Sequence, residues 1–109
     1  MIGLRNKKCV PCEGGVAPMT KDEIANYIKE LQTKWLVFNL QKLRREFRFK
    51  GFKDAMLFVN KVAAVAERER HHPDIAIHYN SVVIELWTHA IGGLSENDFI
   101  MAAKIEALE

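Results

Sequence analysis

Apolar positions in this chain recur at helical spacing in three stretches and alternate with polar ones in the stretches between them. Thr20-x-x-Glu23 has the form of a capping box, in which a hydroxyl and a carboxylate satisfy free N–H groups of a first helical turn. Ile24, Tyr27, Ile28 and Leu31 follow at helical spacing and predict a first helix over 21–32. The aromatic and β-branched run from Trp35 to Leu40 reads as a strand. From Leu43 to Phe49 the pattern alternates. Leu43, Phe47 and Phe49 share one face, and Arg44, Glu46 and Arg48 share the other. Arg45 falls on the apolar face and must reach an edge. Asn39 to Lys42, between the two runs, predicts a hairpin.

Residues 52–69 predict the longest helix. Phe52, Met56, Val59, Val62, Ala63 and Ala66 form its apolar stripe, which Phe58 and Val65 widen, and Pro73 prevents its continuation. Ile75 to Tyr79 and Val82 to Thr88 read as two further strands, with Asn80-Ser81 as the turn. Gly92-Gly93 breaks the chain. Ser95-x-x-Asp98 then looks like the cap of a last helix over 96–107, with Phe99, Ile100, Ala103 and Ala107 on one side. The order helix-strand-strand-helix-strand-strand-helix predicts an α+β fold, an antiparallel sheet with helices on one face. Residues 1–19, punctuated by Pro11, Gly14, Gly15 and Pro18, read as an N-terminal arm without hydrophobic period; residues 20–109 form the single domain.

A chain of 109 residues suits one modest core. Its formal net charge is only +2, which argues against a nucleic-acid partner. The cluster Lys42, Arg44, Arg45, Arg48, Lys50 and Lys53 is interrupted by acidic residues and reads as a solvated strand face. No apolar run reaches the ~20 residues that cross a bilayer, and the basic N-terminus precedes no apolar segment, so the expected compartment is the cytoplasm. Cys9-x-x-Cys12 is a lone pair. Zinc needs two further ligands, and a thioredoxin-type site needs a strand before the pair and a helix after it, so an incidental structural role competes with both.

The four histidines fall in one window: His71, His72, His78 and His89. His71 and His72 sit where the second helix stops, and His89 lies at the end of the last strand. A hairpin of strands three and four brings its open ends together, which places His71-His72 near His89. Imidazole titrates near neutrality, so two of them across a pocket can act as acid and base on one small molecule, as dehydration requires. A plain polar loop, or a metal site completed by Asp74, Glu67 or Cys12, competes with that reading. His78 points to the opposite face from Ile75 and Ile77 and lies about a strand's length away.

Taken together, Glu67-x-x-x-His71-His72-Pro73-Asp74, Tyr79-Asn80-x-Val82, Thr88-His89 and Gly93-Leu94-Ser95-x-x-Asp98 resemble the signature of the pterin-4a-carbinolamine dehydratases. The resemblance extends from Thr20 to Leu108. It implies a four-stranded antiparallel sheet with three helices on one face, and assembly into homodimers or homotetramers. It implies a hydro-lyase that converts 4a-hydroxytetrahydropterin to quinonoid dihydropterin in tetrahydropterin recycling, with no metal or organic cofactor. Carried onto this chain, His71 and His89 match the acid/base histidines, and His72 matches the histidine that helps hold the pterin. Pro73, Asp74 and Trp87 become candidates for substrate binding; Glu67 and Asp98 become supporting residues. Arg70 stands where many members carry an acid, and Ala90 where many are polar; neither change removes a proton-transfer group. The resemblance leaves other readings open: a dimerisation cofactor working through its helical surface, a metal-binding or assembly-assisting protein, or a dehydratase of another reduced pterin.

Overall fold

The alternation of apolar and charged side chains along 42–48 and 81–86 drives the two central strands together, because only pairing buries one face of each while satisfying their backbones. The computed structural model describes residues 3–10, 17–32 and 34–109. In order these form a 3-10 helix (Leu4–Asn6), α1 (Lys21–Ile28), β1 (Leu36–Phe38), β2 (Lys42–Arg48), α2 (Phe52–Glu69), β3 (Asp74–His78), β4 (Ser81–Leu86), a second 3-10 helix (His89–Ile91) and α3 (Glu96–Glu106). The strands make one antiparallel sheet in the order β1-β2-β4-β3. The α+β architecture expected from the pattern is therefore the observed one.

Register decides which face is covered. Leu43 pairs with Leu86, Arg45 with Ile84 and Phe47 with Val82, and Ile84 and Val82 pair in turn with Ile75 and Ile77. Helices cover this face: Phe58 of α2 lies 4.7 Å from the Phe47 ring and 5.1 Å from Phe49, centroid to centroid. Arg44, Glu46 and Arg48 face outward. Arg45, the charge on the apolar face, is buried against Phe47 and reaches Glu109 at 2.7 Å beyond the end of α3.

Both hairpins turn through left-handed backbone. Asn39 and Leu40 carry φ of 50° and 58° between β1 and β2. The second turn sits one residue earlier than the sequence suggests, at Tyr79-Asn80, with Tyr79 at φ 53°; Ser81 already pairs with His78. Asn80 then exchanges bonds with Phe49, donating from Nδ2 at 3.2 Å and accepting at its carbonyl at 2.8 Å.

The helices depart from expectation in instructive ways. α1 has its full Thr20–Glu23 capping box but ends at Ile28. In α2 the buried stripe is Ala55, Phe58, Val62, Val65, Ala66 and Glu69. Phe52 and Ala63, predicted for the stripe, are exposed, and Met56 and Val59 lie at its margins. Both faces of this helix are apolar enough to be buried, so position relative to the sheet, not period, chose between them. α3 is buried on nearly all sides, including Asn97, Asp98, Phe99, Ile100, Met101, Ala102, Ala103 and Ile105, whereas Ala107 is exposed. Such a helix needs cover on every face. β4 of the sheet, α2, α1 and the Leu4–Asn6 helix all contact it. Order therefore begins well before Thr20: Leu4 is buried, Lys104 Nζ donates to Arg5 O at 2.9 Å, and Lys7 pairs with Glu96 at 3.0 Å.

Candidate active site

The end of α2 sets the first wall. Arg70 takes left-handed backbone (φ 55°), its N–H closing on Ala66 O, and Pro73 cannot extend the helix, so His71 and His72 leave it abruptly. The second wall follows β4. Thr88 and Gly93 form a bridge, with Thr88 N donating to Gly93 O at 2.8 Å, and the loop between them is the 3-10 helix bearing His89. Gly92 closes this loop at φ 64°, a conformation that suits glycine. The open end of the β3–β4 hairpin brings these walls together. Between them lies a cavity of about 550 Å³ lined by His71, His72, Pro73, Asp74, Trp87, Thr88 and His89, among others. That volume falls within the usual range for small-molecule sites.

His71 is held most firmly. Its Nε2 lies 2.6 Å from Asp98 Oδ1, and Asp98 is fully buried. The other carboxylate oxygen accepts from Thr88 Oγ1 at 2.8 Å and from Ser95 N at 3.0 Å. Asp98 therefore does two jobs at once: it reaches back to the start of α3 as a helix cap and aligns an imidazole in the cavity wall. A carboxylate with these partners favours the tautomer with hydrogen on Nε2, leaving the lone pair of His71 on Nδ1.

His72 is more exposed and meets Glu67 Oε2 at 2.5 Å across the last turn of α2; Glu67 itself does not line the cavity. His89 stacks on Trp87 with ring centroids 3.9 Å apart and planes 26° from parallel. Trp87 Nε1 donates to Asp74 Oδ2 at 3.2 Å, which joins the two walls, and Lys42 Nζ stands 5.0 Å from the indole. One face of Trp87 is thus already occupied by an imidazole. His78 is exposed at the far end of β3 and does not line the cavity.

Three further lining residues carried no signal of their own in the sequence, Val10, Glu69 and Asn97; Cys9, noted there only as half of a Cys-x-x-Cys pair, lines the cavity with them. Burial, followed by the Glu69 carboxylate, pushes the Cys9 thiol up to about 12, so it is protonated at neutral pH and a poor nucleophile. Its predicted companion Cys12 lies outside the described residues. Among the described residues, no three His, Cys, Asp or Glu side chains are grouped as a metal ion requires.

Residues 17–108 match the family model described as pterin 4 alpha carbinolamine dehydratase. A Rickettsia canadensis protein provisionally named as a pterin-4-alpha-carbinolamine dehydratase is 50% identical over 107 residues, covering 98% of each chain. A Rickettsia bellii protein with the same provisional name is 48% identical over 97% of this chain and 94% of its own. The crystal structure of a transcriptional coactivator/pterin dehydratase from Brucella melitensis superposes with a TM-score of 0.78 at 33% identity, covering 84% of this chain and 97% of that one. A pterin dehydratase-like RuBisCO assembly factor of the alpha-carboxysome shares the fold, with a TM-score of 0.60 at 24% identity over 71% of this chain and 90% of its own.

Proposed function

The chain belongs to the pterin-4-alpha-carbinolamine dehydratase family, and on that premise we propose that it removes water from a 4a-hydroxytetrahydropterin in the cytoplasm by histidine acid/base catalysis. The observation that carries this reading is a cavity whose walls bear His71, His72 and His89 together. Dehydration needs one proton delivered and one removed. A protonated imidazole gives its proton to the 4a-hydroxyl as the C4a–O bond breaks and water leaves. A neutral imidazole takes the proton from N5 as the C4a–N5 double bond forms, so the proton count balances and no redox change occurs.

The Asp98 contact supports His71 as the base. Its Nε2–H is engaged at 2.6 Å, its Nδ1 lone pair is available, and the buried carboxylate sits beside the positive charge that the ring acquires. His89 then serves as the acid, with Trp87 stacked beneath it to hold its plane. Because that stacking occupies one face of Trp87, we assign the indole to orienting His89. His72, aligned by Glu67, and Asp74 offer polar atoms to the pterin's rim of N–H and C=O groups. Phe52 and Leu57, each 52% exposed on α2, support a homo-oligomer, which light scattering on the purified protein measures.

The direct test is dehydration of freshly generated 4a-hydroxytetrahydropterin by the wild type and by the His71→Ala/His89→Ala double variant. Acceleration by the former and not by the latter is expected. His72→Ala should raise KM more than it lowers kcat. A folded wild type that leaves the spontaneous rate unchanged would overturn the reading.

A further inference from the structure

The dehydratase reading leaves one part of the cavity unused: the stretch of arm that forms its remaining wall. Cys9 and Val10 line the cavity although they lie more than sixty residues from any histidine in the chain. They are held there by side chains that are otherwise hard to explain. Asn97 is buried on α3, beside Asp98, and spends its whole amide on one residue. Its Oδ1 accepts from Val10 N at 3.0 Å, and its Nδ2 donates to Val10 O at 2.6 Å. Glu69, buried at the end of α2, accepts from Cys9 N at 2.9 Å and lies 3.7 Å from Lys104. Lys104 in turn donates to Arg5 O. Burying an amide and a carboxylate is costly unless each polar atom is matched, and here both are matched to the backbone of the same two residues.

This clamp fixes the position of Val10 without burying its side chain. Val10 is 67% exposed at the cavity rim, an apolar group held by a buried polar clasp beside an open site. We propose that Cys9-Val10 is a substrate-contacting wall of the pterin site, in which Val10 covers apolar surface of the bound ring and Asn97 and Glu69 are positioning residues that act through it. The proposal rests on the dehydratase reading and adds a specificity element to it. The wall contributes to binding and not to proton transfer, so its loss is felt in KM.

Val10→Asp is the informative variant, because an exposed residue can be charged without disturbing the core. Covering about 40 Å² of apolar surface is worth about 1 kcal/mol, or about fivefold in binding. Val10→Asp is therefore expected to raise KM at least about fivefold with kcat within about twofold and Tm unchanged, and Val10→Leu to restore wild-type KM. Asn97→Ala should move KM in the same direction. The same series titrated with 7,8-dihydrobiopterin, read by tryptophan fluorescence, reports binding whether or not dehydration occurs. Weaker binding by Val10→Asp and Asn97→Ala supports the wall even if the wild type proves not to be a dehydratase. Wild-type KM and affinity in both variants would overturn the wall while leaving the dehydratase reading intact. A wild type that neither binds nor dehydrates would overturn both.

Discussion

Asp98→Asn separates the two jobs of the buried carboxylate. The side-chain oxygen of the introduced asparagine can keep the bonds from Thr88 Oγ1 and Ser95 N, so the cap of α3 survives. The amide nitrogen then replaces Oδ1 at 2.6 Å from His71 Nε2 and can only donate to it. His71 must carry its hydrogen on Nδ1, the atom assigned as base, and full burial leaves no water to take the carboxylate's place. Positioned acid/base groups contribute about 10²–10⁴-fold, so kcat is expected to fall at least about a hundredfold. The folding cost is far smaller. Exchanging a charge-assisted bond for a neutral one loses about 1 kcal/mol, a drop in Tm of roughly 4–8 °C for a domain of this size. Stopped-flow dehydration at 25 °C with Tm from circular dichroism measures both. Thr88→Val is the control: it removes a bond to the same carboxylate, at similar cost in stability, with less than about a tenfold change in rate. A folded Asp98→Asn protein that kept more than about a tenth of the wild-type rate would refute the tautomer argument.

Three other outcomes follow from the packing. A β-carbon at Gly93 would stand 2.6 Å from Pro18 Cβ, beside the Met19 N–Leu94 O bond, so Gly93→Ala should cost about 1–3 kcal/mol in urea unfolding and displace the His89 loop. Arg45→Ala removes the cation that lies 4.0 Å from the buried Glu106 carboxylate and bonds Glu109 at 2.7 Å, and should cost about 1–3 kcal/mol at neutral pH. Burial foremost already holds the Glu106 carboxyl above its usual value of 4.5, so this loss should shrink as falling pH passes through the raised pKa and neutralises the group. Glu96 is the opposite case: hydrogen bonds from Lys7 and then Tyr27 hold its carboxyl below 4.5. The stability it contributes is present above 4.5 and is lost as pH falls through the lowered value, so Glu96→Gln should flatten that part of the stability curve measured by denaturant titration across pH 2–6.

Much of the site was readable because it is built from local signals. Pro73 after a long apolar period marks where α2 stops, and Gly92-Gly93 marks where β4 gives way. A two-strand hairpin between these points leaves few places for His71, His72 and His89 except near each other. Asp98 was half legible: its place in Ser95-x-x-Asp98 marked it as a cap, but nothing local to it requires an imidazole 27 residues upstream as its second partner. The arm was illegible for a clear reason. It is held by backbone bonds to single buried side chains, Asn97 and Glu69, and such contacts leave no hydrophobic period to detect.

The sequence by itself determined the element order, the antiparallel class and the neighbourhood of the histidines, because hydrophobic period, capping boxes and turn residues act over a few residues at a time. Tertiary structure alone decided which face of α2 was buried, since Phe52-Val59-Ala63 and Ala55-Phe58-Val65 are both apolar enough and only contact with the sheet distinguishes them. It also turned Trp87 onto His89, gave Asp98 its imidazole and laid Cys9-Val10 along the cavity. Each of these joins residues that are adjacent only after the layers have packed, and their energies depend on burial that no local stretch of sequence contains.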